Sequence, residues 1–251
     1  MIISLPKRTK PKRRTGLTCI LDKGIGKEYL KDYLLNCAQY IDVAKLAWGT
    51  AVVSKIIKEK INIYKKFGIQ VSSGGTLFEI FYTQSKINEY IDYLNHLEVD
   101  IAEISDGVVE IPRKEKLKCI QKIKKYFKVY SEVGSKDIEF VTPPAKWVQW
   151  IKEELGAGAD YVILEGRETG TVGLFRETGE IRMGLVNEII DSGVSPDLLI
   201  FETPRKHQQV WFIERFGANV NLANIPIEEV ISLETLRLGL RADTLKYFHN
   251  K

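Results

Sequence analysis

The feature that most narrows the fold is an alternation. Short apolar or β-branched runs are separated by longer stretches of helical periodicity, almost from one end of the chain to the other. Eight runs are read: Leu17 to Leu21, Ile41 to Lys45, Ile69 to Ser73, Val99 to Glu103, Val129 to Val133, Tyr161 to Glu165, Leu198 to Glu202 and Asn219 to Leu222. Strands that alternate with helices pair in parallel, because a connection between parallel strands must cross the sheet and a helix does so. Their ends recur every 19 to 37 residues, about what a strand, a helix and two loops occupy. Eight such units in 251 residues close into a ring more naturally than they form an open sheet. The expected architecture is therefore α/β, a single (β/α)8 TIM barrel. A dinucleotide-binding sheet would want a third glycine in its first turn, which Asp22-Lys23-Gly24-Ile25-Gly26 lacks.

The stretches between the runs carry helix signals. After Pro112, Leu117, Ile120, Ile123 and Phe127 recur every three or four positions, as one face of a helix requires. After Pro143-Pro144, Trp147, Val148, Ile151 and Leu155 do the same, and Gly156 is placed to end that helix. Pro226 is expected to open the last long helix, burying Val230, Leu233 and Leu236.

Charge divides the chain into two parts. The net charge is +4, yet Lys7, Arg8, Lys10, Lys12, Arg13 and Arg14 alone supply six positive charges, so the remainder has two more acids than bases. We read residues 1–16 as a basic N-terminal arm, broken by Pro6 and Pro11, and residues 17–251 as the barrel catalytic domain. A body without positive excess is poorly suited to displacing counterions from phosphates, and no nucleic-acid partner is expected. No run approaches about eighteen apolar residues and no cleavable leader is evident, so no membrane partner and a cytoplasmic location are expected. Cys19, Cys37 and Cys119 are widely spaced, without a Cys-x-x-Cys pair, and are read as buried free thiols.

In a barrel of this kind, reactive groups project from the C-terminal ends of the strands. Four predicted strands end in Glu103, Glu132, Glu165 and Glu202, each two residues beyond a position that alternation also points inward. Four carboxylates at one mouth repel each other unless cations neutralise them. The chain supplies Lys45, Lys136, Arg167, Arg205 and Lys206 at or after strand ends. A bound metal is the other source, and oxygen-only ligands favour magnesium or manganese over zinc, with His96, His207 and His249 scattered. A ring of Glu–Lys and Glu–Arg pairs would satisfy the same pattern. Trp48-Gly49-Thr50, Ser72-Ser73-Gly74-Gly75-Thr76 and Gly134-Ser135-Lys136 form short loops able to offer backbone N–H groups to an oxyanion, although Gly74-Gly75-Thr76 serves equally as a tight turn and helix cap. Arg-Glu-Thr-Gly occurs at Arg167 to Gly170 and again at Arg176 to Gly179. The loop enclosed is either a lid or a plain connection.

Five ordered segments carry a resemblance. Asp42 to Thr50, Gly74 to Glu79, Glu103 to Gly107, Ser131 to Asp137 and Glu165 to Glu168 resemble the motifs of the phosphosulfolactate synthase family, and the similarity runs from about Gly16 to the end. That resemblance implies a TIM barrel that uses Mg2+ to join sulfite to phosphoenolpyruvate. The product would be (2R)-phospho-3-sulfolactate, on the way to coenzyme M, which makes the protein a carbon–sulfur lyase acting in the synthetic direction. On this reading Glu103, Glu132 and Glu165 bind the metal, with Glu202 in reserve. Lys136 protonates the intermediate, Lys45, Arg167 and Arg205 hold the anionic groups, and a homo-oligomer is expected. Two other readings stay open: an aldolase-like barrel with a Schiff base on Lys45 or Lys136, and a non-catalytic, stress-associated barrel.

Overall fold

Each apolar run becomes a strand whose side chains alternate between the inside of a barrel and a surrounding layer of helices. The computed structural model describes residues 3–134 and 142–249. Its strands are β1 Thr18–Asp22, β2 Val43–Leu46, β3 Gln70–Ser72, β4 Ile101–Ile104, β5 Lys128–Val133, β6 Tyr161–Leu164, β7 Leu199–Glu202 and β8 Leu222–Ile225. They pair in parallel and in order, and β8 closes on β1. The helices are α1 Lys27–Cys37, α2 Thr50–Val53, α3 Ile57–Lys66, α4 Gly75–Thr83, α5 Ile87–Leu97, α6 Arg113–Ile123, α7 Pro144–Ala157, α8 Met183–Asp191, α9 Lys206–Phe216, α10 Val230–Arg237 and α11 Ala242–His249. The expected (β/α)8 barrel is the observed fold.

Alternation sorts the apolar residues into two cores. Leu17, Cys19, Val43, Ile101, Tyr130, Ile163, Ile200 and Ala223 fill the barrel interior. Ile20, Ala44, Val71, Ala102, Val129, Val162 and Phe201 face the helices. A step of two along each strand from the inner layer reaches the C-terminal mouth. There Val43 gives way to Lys45, Ile101 to Glu103, Tyr130 to Glu132, Ile163 to Glu165 and Ile200 to Glu202. All three cysteines are buried and free.

Three boundaries differ from the sequence reading. The last strand begins at Leu222 instead of Asn219. Asn221 sits at the strand's foot, accepting from Leu17 N and donating to Asp197 O and Leu199 O, so Asn224 and not Asn221 reaches the mouth. Helix α7 runs past Gly156 and stops at Gly158, whose φ of +112° only glycine adopts cheaply. The segment after Pro226 is a short 3-10 turn followed by two helices, although Val230, Leu233 and Leu236 are buried as expected.

The basic arm packs on the N-terminal end of the barrel. Arg8 pairs with Glu234 at 2.9 Å and donates to Ala218 O and Asn219 Oδ1, while Arg13 pairs with Asp42 at 3.2 Å. No helix among the described residues is long and apolar enough to cross a membrane.

Candidate active site

Lys45 stands at the centre of the mouth. Its Nζ lies 2.7 Å from Glu103, 2.7 Å from Glu132 and 3.0 Å from Glu202. The barrel brings these residues together because inward positions of neighbouring strands rise in register: Leu21 pairs with Lys45, Lys45 with Ser72, Glu132 with Ile163, and Glu202 with Ala223. Burial alone would lower the lysine's pKa, but Glu103, Glu132 and Glu202 outweigh it and hold the group well above the ordinary lysine range. Lys45 is therefore an ammonium at any physiological pH.

Glu103 takes the opposite strain. Burial pushes its carboxyl up to about 8, Glu132 adds to the rise, and Lys45 opposes it. Gly75 N at 2.9 Å and Ser72 Oγ at 3.1 Å donate to its oxygens and also favour the ionised form. The net direction is upward, because the loss of water and a neighbouring carboxylate outweigh these donors. Keeping a proton on Glu103 relieves its repulsion with Glu132.

Above this layer opens a cavity of about 260 Å3. Lys45, Glu132, Glu165, Glu202 and Arg167 line it, with Trp48 from the loop after β2 and Gly75 and Thr76 from the first turn of α4. Trp48 is held at a φ of +51°, and its ring is partly exposed at the rim. Arg167 also has a positive φ, 55°, fixed by its backbone N–H, which donates to Glu202 Oε2 at 2.9 Å and Glu165 Oε1 at 2.8 Å. Gly166 N donates to Glu202 Oε2 as well. The turn after β6 thus presents two N–H groups to a carboxylate of the protein itself.

Several expected site residues take other duties. Glu103 is not in the cavity wall but lies beneath it, buried by Gly75, Lys45 and Glu132. Among the described residues no group of three or more His, Cys, Asp or Glu is placed to hold a metal ion, and Lys45 Nζ lies between Glu103, Glu132 and Glu202. Gly74 and Gly75 follow the turn-and-cap reading. A Cβ on Gly74 would come within 2.4 Å of Leu46 O, and one on Gly75 within 2.5 Å of Ser105 Cβ. The first N–H of α4 serves Glu103. Gly49 precedes the four-residue α2, and Thr50 begins it.

Arg205 is not part of the cavity wall, and its Nε donates to Thr169 O at 2.6 Å. Gln208 Nε2 donates to Gly170 O and Gly179 O, while Val172, Leu174 and Phe175 are buried. The loop after β6 is thereby anchored at both Arg-Glu-Thr-Gly repeats. Lys136, with Ser135, lies outside the described residues.

Sequence reasoning missed a supporting shell. Lys116 is fully buried, pairs with Asp106 and Glu154, and donates to Glu132 O at 2.6 Å, so it fixes the strand at the glutamate. Glu79 accepts from Val108 N and Val109 N and so shapes the loop after β4, whose Val108 reaches the cavity. Glu79 fell inside a motif quoted for the resemblance, and that was its only signal. Asn224 and Glu168 also line the cavity.

Comparison with known proteins identifies the family of the chain. The family model described as "(2R)-phospho-3-sulfolactate synthase (ComA)" matches residues 6–243. The phosphosulfolactate synthase of Bacillus subtilis is 42% identical over 244 residues, covering 96% of this chain and 97% of that protein. That of Methanocaldococcus jannaschii is 45% identical over 235 residues, covering 91% and 93%. Among solved structures, 3-hexulose-6-phosphate synthase from Salmonella typhimurium superposes with a TM-score of 0.56 at 12% identity, over 88% of this chain and 97% of that one, a likeness of fold alone. Identity of that extent along nearly the whole chain, on a barrel with this mouth, makes the chain a member of the (2R)-phospho-3-sulfolactate synthase family.

Proposed function

We propose that the chain adds sulfite to phosphoenolpyruvate at the C-terminal mouth of its barrel, yielding (2R)-phospho-3-sulfolactate. Beside family membership, the observation that carries this reading is the largely buried ammonium of Lys45 at the floor of a cavity whose wall includes Arg167. The sulfur lone pair of sulfite attacks the methylene carbon, C3, and forms the C–S bond. The C2–C3 π pair moves toward C2 and the carboxylate, and a proton then adds to C2 from one face. Negative charge grows on the carboxylate as the bond forms, so donors already fixed in place lower the barrier. Lys45 supplies a fixed ammonium at the cavity floor, and Arg167, whose backbone is pinned by Glu165 and Glu202, brings a guanidinium to the wall.

The cavity needs further positive charge. Glu132, Glu165, Glu168 and Glu202 line it against two cations, Lys45 and Arg167, and two anionic reactants entering such a wall would be repelled. Magnesium fits a donor set of this kind, because it is usually held by one or two carboxylates together with substrate oxygens and not by an all-protein cage. Glu132 and Glu165 are the candidate ligands, with Glu202 in reserve; the ion would neutralise charge on the reacting carboxylate.

The proton for C2 is assigned to Lys136, the lysine of the Ser131 to Asp137 motif. A second assignment is favoured by the proton that burial and Glu132 keep on Glu103 near neutral pH, since Glu132 opens onto the cavity and can pass it on. Lys136→Ala and Glu103→Gln separate the two, because Glu132 is also a candidate metal ligand and its loss would lower turnover on either assignment. The true donor loses turnover far more than affinity, and the other variant loses less.

A Schiff-base reaction would ask Lys45 to be a neutral amine, and its three carboxylate neighbours oppose that state. Sulfite-dependent loss of phosphoenolpyruvate absorbance, abolished by a chelator and restored by Mg2+, tests the whole reading; no loss with pure protein would sink it. We place the reaction in the cytoplasm, in keeping with free buried thiols. A homo-oligomer is supported by Leu35, Val52 and Val53, which leave large apolar surface exposed.

A further inference from the structure

The wall of the Lys45 cavity is layered in an unusual order. Its carboxylates lie deep, with Glu132, Glu165 and Glu202 at 1–3% exposure, whereas two large apolar side chains in the same wall, Trp48 at 43% and Val108 at 65%, stand open to solvent. Folding usually does the reverse, since apolar surface left in water is unfavourable and charge taken out of water is costly. An apolar rim above a charged floor gains its contacts only when the cavity is filled.

Single exposed apolar residues are ordinary, but these two are held where they stand. Ala44 and Leu46 face the helices, so continued alternation along β2 would send Trp48 the same way. A φ of +51° breaks the alternation, and the residue lines the cavity instead. That backbone is unfavourable for a bulky side chain, and its surroundings impose it. Ala47 N donates to Asp22 O at 3.0 Å, Thr50 N donates to Ala47 O at 3.0 Å, and Gly74 packs so close that a Cβ there would sit 2.4 Å from Leu46 O. Val108 is fixed by other means: the buried Glu79 carboxylate accepts from Val108 N at 2.9 Å and from Val109 N at 2.6 Å. Backbone strain after β2 and a buried carboxylate behind the loop after β4 are separate costs, and both set an apolar group at one opening.

We propose that Trp48 and Val108 form an apolar lip that screens the reacting C2 carbon from bulk water and so keeps its protonation one-sided. This inference rests on the reading of the mouth as the place where sulfite adds to phosphoenolpyruvate. Once the C–S bond has formed at C3, C2 shares the former π pair with the carboxylate and is flat, open to a proton on either face. A donor of the protein adds that proton on one face and gives the (2R) product. A water molecule reaching the other face would give its proton there, leave hydroxide and yield the (2S) product. Charged groups at the floor fix where the intermediate lies; exclusion of water from the open side fixes which donor reaches it. Indole and isopropyl groups suit that task, because they displace water and supply no acidic proton of their own.

The handedness of the product tests this, and a packing role alone would not move it. Trp48→Gly removes the indole and suits the positive φ; Val108→Ala trims the other half of the lip, and Trp48→Phe keeps an apolar cover. Chiral chromatography should show one enantiomer from the unaltered protein and from Trp48→Phe. In Trp48→Gly the (2S) product should rise at least about tenfold above the unaltered protein's background, with the double variant of Trp48→Gly and Val108→Ala higher still, as proton leakage from solvent requires. Unchanged handedness in Trp48→Gly and in the double variant overturns the inference, whatever happens to the rate. Where a variant makes too little product to read, acrylamide quenching decides. Phosphoenolpyruvate with Mg2+ should protect the part of the fluorescence that Trp48→Phe lacks, and absence of protection overturns the inference. No product from the unaltered protein sinks the function proposed above and this inference with it, whereas product of one hand from every variant sinks this inference alone.

Discussion

At the N-terminal end of the barrel, the fully buried Arg237 donates to Ala218 O, Val220 O and Leu17 O, with Arg8 beside it on Glu234. At the C-terminal end, the largely buried Lys45 sits among three carboxylates, and a fourth, Glu165, lines the same cavity. Both ends take charge out of water. The lower end answers its cations with carbonyls and single acids supplied by the chain, including the arm, and closes over them. The upper end gathers more acid than base and opens onto a cavity, so its charge is completed only by what enters. Burying charge without full internal compensation is costly; the end where the chain accepts that cost is the end where chemistry is expected.

The sharpest way to break this contrast is to remove the cation at each end. Lys45→Met keeps the bulk and leaves Glu103, Glu132 and Glu202 facing one another. We expect kcat/KM to fall by about a thousandfold and stability by about 3–5 kcal/mol in denaturant titration; activity within tenfold of wild type would remove Lys45 from the chemistry. Arg237→Met orphans three carbonyls at the other end. Stability should drop by about 3 kcal/mol, while kcat/KM of the folded fraction stays within about twofold, since no reactant is near.

The pH response sharpens the contrast without disturbing the packing. Glu103 is raised by burial to about 8 from an ordinary 4.5, and Asp42, at the lower end, by burial to about 6 from 3.8 despite Arg13. In both cases the folded protein keeps a proton that the unfolded chain has released. Folding stability therefore falls as pH rises through each window, from 3.8 to 6 for Asp42 and from 4.5 to 8 for Glu103. Glu103→Gln should flatten the fall between pH 6 and 8, whereas Asp42→Asn should leave that part unchanged; denaturation midpoints measured across this range separate the two ends. The smallest effect concerns Arg205. Its guanidinium is engaged with Thr169 O and not with the cavity, so Arg205→Ala should raise KM for phosphoenolpyruvate about two- to fivefold through a looser loop, and Arg167→Ala tenfold or more. Equal losses would return Arg205 to the reactants.

Much of this arrangement was legible along the chain. A period of two along each strand assigns Glu103, Glu132, Glu165 and Glu202 to the inner face once their strands are recognised, and the parallel topology carries all four to one end. The misplacement of β8 shows where such reasoning fails. Val220 and Leu222 alternate properly, but Asn221 caps backbone groups at the foot of the barrel, and a bulge then moves Asn224 to the mouth. Both depend on pairing with β1, some two hundred residues away. The partners of Lys116 and Glu79 were hidden for a related reason: helices α6 and α4 present these side chains inward to groups on other units.

By itself the sequence determined the barrel, its inner and outer faces, the acidic mouth, the basic arm and the family, because these follow from local periodicity and from motifs contiguous in the chain. Only the tertiary structure decided which of the charged groups are matched. It put Lys45 at the centre of three carboxylates, turned Arg205 to the loop, set Glu103 beneath the cavity and left the Asn224 amide oxygen unpaired. Whether a charge is satisfied depends on distances of a few ångströms between residues remote in sequence, and on the water excluded between them, and neither is written in any local pattern.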